Sequence, residues 1–132
     1  MDRLTERHLR TAERNRRLAL SHLDVQPATL LSLPHAWQSI VAFYAAVHYI
    51  NAYLWEIRRY TPSDHRSRNL LVSGDLGLRL CSGEYGRLFD TGYRARYVPE
   101  FRLSEQDARD LIDGDLELVR QTVRGALGLP TT

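Results

Sequence analysis

A short run of the chain, residues 58–68, holds four arginines, a histidine and an aspartate. Histidine can move a proton near neutral pH, and a guanidinium can hold phosphoryl oxygens through two parallel hydrogen bonds. These residue types suit phosphate chemistry, and the candidates for catalysis are His65, Arg59 and Arg66. The candidates for phosphate or nucleic-acid binding in the same run are Arg58 and Arg68. A solvated loop carrying the same residues is the alternative interpretation.

Further arginines lie in two other segments. Near the start of the chain they recur at spacings of three and four residues, which places them on one face of a helix: Arg3, Arg7, Arg10, Arg14 and Arg17. Such a row is usually a solvated face, and contact with nucleic acid is the functional alternative. Later in the chain, Arg94, Arg96 and Tyr97 are further candidates for nucleic-acid or phosphate binding. The chain has no lysine, which favours either bidentate phosphate recognition or a codon bias.

The element that must position residues 58–68 is a long apolar segment before them. Residues 37–57 are hydrophobic on nearly all sides of a helix, a pattern typical of a buried central element. Pro34 suits the first turn of this helix. The helix should end at Arg59 or Tyr60, because the residue before Pro62 avoids helical dihedral angles. The arginine and histidine run would then lie at the end of a rigid, buried rod.

Other helices are expected around this rod. The first spans Asp2 to Leu23 and is followed by a linker at residues 24–33. A third begins at Asp64 or His65 with Ser63 as its N-cap, is broken by Gly74 and Gly77, and resumes from Leu78 to Tyr97. The last begins after Ser104 and ends at Gly128. Opposite local charges at the two ends of the chain should attract the first and last helices. We therefore predict an all-α, antiparallel four- to five-helix bundle that forms a single domain over residues 1–132.

Several function classes are not supported by the sequence. There is no Gly-rich phosphate loop after a strand, and no cluster of His and Cys residues has the spacing of a zinc site. We therefore expect neither a cofactor nor a metal. Cys81 is the only cysteine, which favours a reducing, cytoplasmic location. We expect no secretory signal peptide and no membrane span, because polar residues interrupt the apolar segment too early.

Several stretches together resemble HEPN domains, the "higher eukaryotes and prokaryotes nucleotide-binding" proteins. The resemblance rests on residues 12–15, on residues 44–49 of the apolar segment, on the polar break with His65, and on residues 85–89 leading to Arg94–Tyr97. The resemblance covers most of the chain. Within this family, the chain is most similar to the small stand-alone prokaryotic proteins that are often encoded beside minimal nucleotidyltransferases. The resemblance implies a helical bundle that forms a homodimer. Catalytic HEPN proteins are metal-independent endoribonucleases with an arginine followed a few residues later by a histidine.

The match to that catalytic motif is incomplete. No histidine follows Arg94 and Arg96, where the motif is most expected, whereas Arg59 and His65 have five residues between them and fit the spacing across a helix break. We therefore expect a dimeric, non-catalytic nucleotide- or partner-binding module of a toxin–antitoxin or defence system, with a minimal nucleotidyltransferase or RNA as partner. The alternative is a metal-independent HEPN endoribonuclease. A third interpretation is ligand binding in a pocket lined by Trp37, Tyr44 and Tyr85.

Overall fold

The computed structural model describes residues 1–21 and 35–132, and its regular secondary structure within these ranges is helical, with no strand. The helices are α1 (Arg3–Ser21), α2 (His35–Arg58), α3 (His65–Gly74) and α4 (Ser82–Tyr97), the last preceded by a 3-10 turn at Arg79–Cys81. A final helical segment consists of α5 (Glu105–Arg109), a π-helical stretch at Asp110–Leu116, and α6 (Glu117–Ala126). The predicted linker at residues 24–33, the end of the first predicted helix and Pro34 lie outside the described residues.

The predicted all-α bundle is confirmed, and α2 is its central element. Its buried residues occur on all sides and include Phe43, Tyr49, Ile50 and Leu54. α2 packs against α1, α4 and α6. The backbone N–H of Asp2 donates to Glu56 and His8 lies beside His48, so the start of α1 meets the end of α2 and the two helices are antiparallel.

The ends of two helices differ in detail from the sequence predictions. The N-cap of α3 is Asp64 rather than Ser63, because the Asp64 carboxylate accepts a 2.7 Å hydrogen bond from the backbone N–H of Ser67. A carboxylate accepts this hydrogen bond better than a hydroxyl does, and its negative charge is stabilised by the positive end of the helix dipole. α2 ends at Arg58 because Arg59 has a φ of 52°, the left-handed region that commonly ends helices.

Close helix contacts depend on two glycines. A Cβ added at Gly92 of α4 would lie 3.0 Å from Cβ of Phe43, so the glycine lets α4 approach α2. A Cβ at Gly77 would collide with the Tyr53 hydroxyl. That hydroxyl donates a 2.8 Å hydrogen bond to Asp75, a buried carboxylate that also pairs with Arg58 at 2.8 Å. The loop after α3 is thereby fixed to the end of α2.

Ion pairs join α1 to α6, as the opposite charges of the chain ends predict. However, each of the two helices contributes both arginine and glutamate side chains to these pairs. Arg16 of α1 lies 3.4 Å from Glu117, whereas Glu13 of α1 accepts from Arg120 at 3.2 Å and lies 3.5 Å from Arg124. The exposed arginine row of α1 lies on the solvent face: Arg3, Arg7, Arg10, Arg14 and Arg17.

Candidate functional site

One side of α2 carries polar and aromatic side chains at successive helical turns, and each contacts a different part of the bundle. Tyr44, His48, Asn51 and Trp55 occupy these positions. Their respective partners are Arg96 of α4, His8 of α1, Arg68 of α3, and Asp2 before α1. Because helical spacing places the four residues in a stripe, the partners from three other elements converge on one face of the central helix.

Arg68 is the most buried cation of this face, with 6% of its surface exposed. Its guanidinium donates to the Asn51 side-chain oxygen at 3.0 Å and to the Pro62 carbonyl at 3.1 Å. A third N–H lies 3.0 Å from Nδ1 of His65. All three partners are neutral, and Arg68 has no carboxylate partner among the described residues. A buried guanidinium without a countercharge is electrostatically unfavourable, and an anion beside it would compensate its charge.

The hydrogen bond with Arg68 determines the state of His65. A guanidinium can only donate, so Nδ1 of His65 must accept and the neutral ring carries its proton on Nε2. Partial burial, followed by the positive charges of Arg68 and Arg96, lowers the pKa of His65 below its usual value. The ring contacts Phe43 and Phe89, with centroid distances of 5.3 and 6.0 Å. Its Nε2 has no partner among the described residues and is not sealed from solvent.

Arg96 adds a second guanidinium, and its partners within residues 1–21 and 35–132 are all neutral groups. It donates to the Tyr44 hydroxyl at 3.0 Å and to the Gly92 carbonyl at 3.3 Å. Its guanidinium carbon lies 5.1 Å from the centre of the Tyr97 ring and 5.7 Å from that of Phe43. These cation–π contacts orient the side chain without neutralising it. We call His65, Arg68, Arg96, Asn51 and Tyr44 the cationic site.

The two histidines next to this site form a pair. Nδ1 of His8 lies 3.0 Å from Nδ1 of His48, which requires one ring to donate and the other to accept. Burial, then the charges of His8, Arg68 and Arg14, lower the pKa of His48 to about 4. Burial and nearby arginines also lower the pKa of His8. Both rings are therefore neutral at neutral pH and lie within the electrostatic influence of Arg68.

The structure brings together some of the candidate residues and separates others. Arg68 and Arg96, assigned from sequence to phosphate binding, flank His65. Arg59, the candidate catalytic partner, instead forms an ion pair with Asp2 at 3.1 Å and lies over Trp55. Arg58 pairs with Asp75 at 2.8 Å.

Three further candidates are exposed side chains around the cationic site. Arg66 lies next to His65 in the first turn of α3, and Arg94 lies in the last turn of α4. Neither forms an ion pair with a described residue. Tyr97 has 63% of its surface exposed. These side chains can reach a ligand that approaches the site from solvent.

Sequence reasoning missed the contribution of Asn51, His8 and the Tyr44 hydroxyl. Helical spacing predicts that Tyr44 and Asn51 lie on one side of α2, but it does not identify the side chains that they contact. Nothing in the sequence near His8 indicates that it pairs with His48, because the pairing depends on how α1 docks against α2.

The pocket expected between Trp37, Tyr44 and Tyr85 forms only in part. A groove of about 340 Å³ between α1 and α2 is lined by Trp37, Tyr44 and His48, among others. Tyr85 is not part of it, because its ring is 2% exposed and packs in the core against Phe43. Burial raises the pKa of Tyr85 to about 12, with the nearby Arg68 charge opposing that shift.

Other chemistry-bearing groups are sparse in the described part of the chain. Within residues 1–21 and 35–132, no group of three or more His, Cys, Asp and Glu side chains is arranged to hold a metal ion. Cys81 is buried, and burial raises the pKa of its thiol to about 11, so it is not an activated nucleophile. Across those same two ranges, every helix is too short or too polar to cross a membrane. No protein-family model matches this chain, and no curated protein matches it by sequence.

Proposed function

We propose that this chain is a HEPN-like, dimeric, non-catalytic module that binds the phosphate groups of RNA or a nucleotide at the cationic site. The observation that carries the proposal is the state of its two guanidiniums. Arg68 and Arg96 are both ordered by neutral partners, whereas Arg58 and Arg59 pair with carboxylates. An arginine that is positioned but not neutralised is suited to hold an oxyanion.

The hydrogen bonding of His65 favours binding over cleavage. Because Nδ1 already accepts from Arg68, the ring offers an N–H donor rather than a free lone pair. An N–H donor can bind a phosphate oxygen next to the guanidiniums. It cannot remove a proton from a 2′-hydroxyl while that hydrogen bond persists.

A binding assay with charge-matched variants tests this proposal. Titration of a labelled single-stranded RNA in chelator, followed by fluorescence anisotropy, gives the dissociation constant. Arg96→Met should weaken binding roughly tenfold or more, the effect expected for losing one charge-assisted phosphate contact. Arg79→Met removes the same charge from an exposed arginine of the 3-10 turn and should have little effect. If both variants lose the same amount of RNA affinity, RNA binding depends only on the total charge of the protein.

Endoribonuclease activity is the second candidate function. The observation that favours it is the lowered pKa of His65, since a neutral imidazole is the state that a general base requires. In that role the Arg68–His65 hydrogen bond must break so that a ring nitrogen can accept the 2′-hydroxyl proton. Electrophoresis of the RNA from the binding assay distinguishes the two functions. Cleavage in chelator that is abolished in His65→Ala would replace the binding proposal with the enzymatic one.

Dimer formation is part of the proposal and is supported by exposed apolar side chains that line the groove between α1 and α2. Leu18 and Trp37 each have 46% of their surface exposed, and Tyr44 has 36%. Burying such a surface in a second copy is favourable because apolar area leaves water. Light scattering should give the mass of a dimer for the native protein and of a monomer for Trp37→Ser. Leu80→Ser, at a residue 76% exposed on the 3-10 turn, is the matched control and should remain dimeric.

Three parts of the proposal are supported by the sequence alone. The resemblance to HEPN domains supports two of them, which are a minimal nucleotidyltransferase as protein partner and a role in a toxin–antitoxin or defence system. The single cysteine supports the third, a cytoplasmic location. Co-purification of the chain with a minimal nucleotidyltransferase is the measurement that tests the first of these.

A further inference from the structure

α4 carries an aromatic residue at every fourth position, and this series begins in the core and ends in solvent. The residues are Tyr85, Phe89, Tyr93 and Tyr97. Tyr85 is 2% exposed, Phe89 is partly buried, Tyr93 is 49% exposed and Tyr97 is 63% exposed. Core packing explains Tyr85 and Phe89, but it does not explain two largely exposed tyrosines in succession. We call Phe89, Tyr93 and Tyr97 the aromatic strip.

The aromatic strip begins at the cationic site. The Phe89 ring lies 6.0 Å from the His65 ring, Tyr93 lies 6.2 Å from Phe89, and Tyr97 lies 4.9 Å from Tyr93. Each step is a ring-to-ring contact, so the strip is continuous from the imidazole to solvent. A ligand that reaches His65 from solvent can therefore extend along aromatic side chains.

Positive charge accompanies these rings. The Arg96 guanidinium lies 5.1 Å from the centre of the Tyr97 ring. Arg94 is exposed on the same helical turn as Tyr97 and forms no ion pair with a described residue. Aromatic faces next to unpaired guanidiniums are the features that bind single-stranded nucleic acid, because bases stack on the rings while the arginines hold the phosphates.

We propose that the aromatic strip stacks the bases of single-stranded RNA whose backbone phosphate is held at the cationic site. This inference rests on the proposed phosphate-binding function and adds the form of the ligand. Tyr93 and Tyr97 stack on unpaired bases, which expose their faces, and reject a duplex, whose base faces are stacked on each other. Stacking is tolerant of sequence, so the strip selects strandedness rather than a particular base.

The test compares RNA ligands and variants by fluorescence anisotropy. Tyr97→Ala and Tyr93→Ala should each weaken binding of a single-stranded oligonucleotide roughly tenfold, the loss expected for one stacked base. Tyr93→Phe keeps the ring and should bind as the native protein does. Tyr60→Ala is the matched control, because Tyr60 is also 49% exposed but lies outside the strip. The native protein should bind an RNA duplex, and an abasic oligonucleotide of equal charge, much more weakly than the single strand.

The outcomes separate this inference from the proposed function. If Arg96→Met weakens binding while Tyr93→Ala and Tyr97→Ala behave like Tyr60→Ala, phosphate binding stands and the stacking inference is wrong. Equal affinity of the native protein for the single strand and the abasic strand would also show that phosphate binding stands and that the stacking inference is wrong. If the native protein binds no RNA at all, the stacking inference and the RNA-binding part of the proposed function are both overturned. A change from dimer to monomer in Tyr97→Ala, with RNA affinity unchanged, would identify the strip as a protein interface instead.

Discussion

The paired histidines predict that the fold loses stability in mild acid. The Nδ1 atoms of His8 and His48 are 3.0 Å apart and share one hydrogen bond. If both rings were fully protonated, two N–H donors would face each other, and the hydrogen bond that joins α1 to α2 would be lost. The folded state therefore disfavours protonation of the second histidine ring of the pair. Burial is the largest cause, and it is reinforced by the charge of His8.

The magnitude follows from the difference between the folded and unfolded states. His48 has a pKa near 6.5 when exposed and about 4 in the fold. Since the folded pKa is lower, the contribution of His48 is complete above pH 6.5 and declines as the pH falls toward 4. At about pH 5 this linkage amounts to ~2 kcal/mol of unfolding free energy, and partial exposure of the ring reduces the expected loss to ~1–2 kcal/mol.

Urea unfolding followed by circular dichroism measures this loss. The free energy of unfolding should fall between about pH 7.5 and about pH 5 by ~1–2 kcal/mol more in the native protein than in His48→Gln. Glutamine can still bond to His8 but does not titrate, and the ionisable groups that do not contact this pair contribute to both proteins alike. If native protein and variant have the same pH dependence to within about 0.5 kcal/mol, the assignment of strain to the doubly protonated pair is wrong.

Three further predictions concern the bundle that positions the site. Gly92→Ala should lower the unfolding free energy by ~1–3 kcal/mol because its Cβ would press on Phe43. Gly86→Ala on the same helix meets nothing within 4 Å and should raise it by up to ~1 kcal/mol; thermal unfolding of both variants tests this contrast. Asp75→Ala should cost ~2–4 kcal/mol in urea unfolding, since it leaves the buried Tyr53 hydroxyl unpaired. Asp64→Ala should reduce helicity and lower the melting temperature by removing the cap of α3.

Helical periodicity made much of the bundle predictable. The apolar run of α2, the proline after it and Ser104 before the last helix are local signals, and the structure has α2 end at Arg58 and Ser104 cap α5. The choice between Ser63 and Asp64 as the cap of α3 was less predictable. Both residue types are good caps, and only the backbone conformation decides which one faces the free N–H groups.

The candidate site was predictable by residue type but not by pairing. Residues 58–68 contain the histidine and the arginine that form the centre of the candidate site, and their suitability for phosphate stays a prediction. Spacing along the chain favoured Arg59 as the partner of His65, whereas the guanidinium beside that ring belongs to Arg68. Arg59 has a left-handed backbone conformation, and its side chain forms an ion pair with Asp2 instead.

By itself, the sequence determined that the chain forms helices, that one of them is the core, and that arginine and histidine side chains follow its end. These properties depend on residue type and on periods of three to four residues, which act over short stretches of chain. Only the tertiary structure decided that Arg68 reaches Asn51, that Arg96 reaches Tyr44, and that neither guanidinium has a carboxylate partner in the described part of the chain. A long side chain on a helix can reach several neighbours, so its partner is set by how the helices pack.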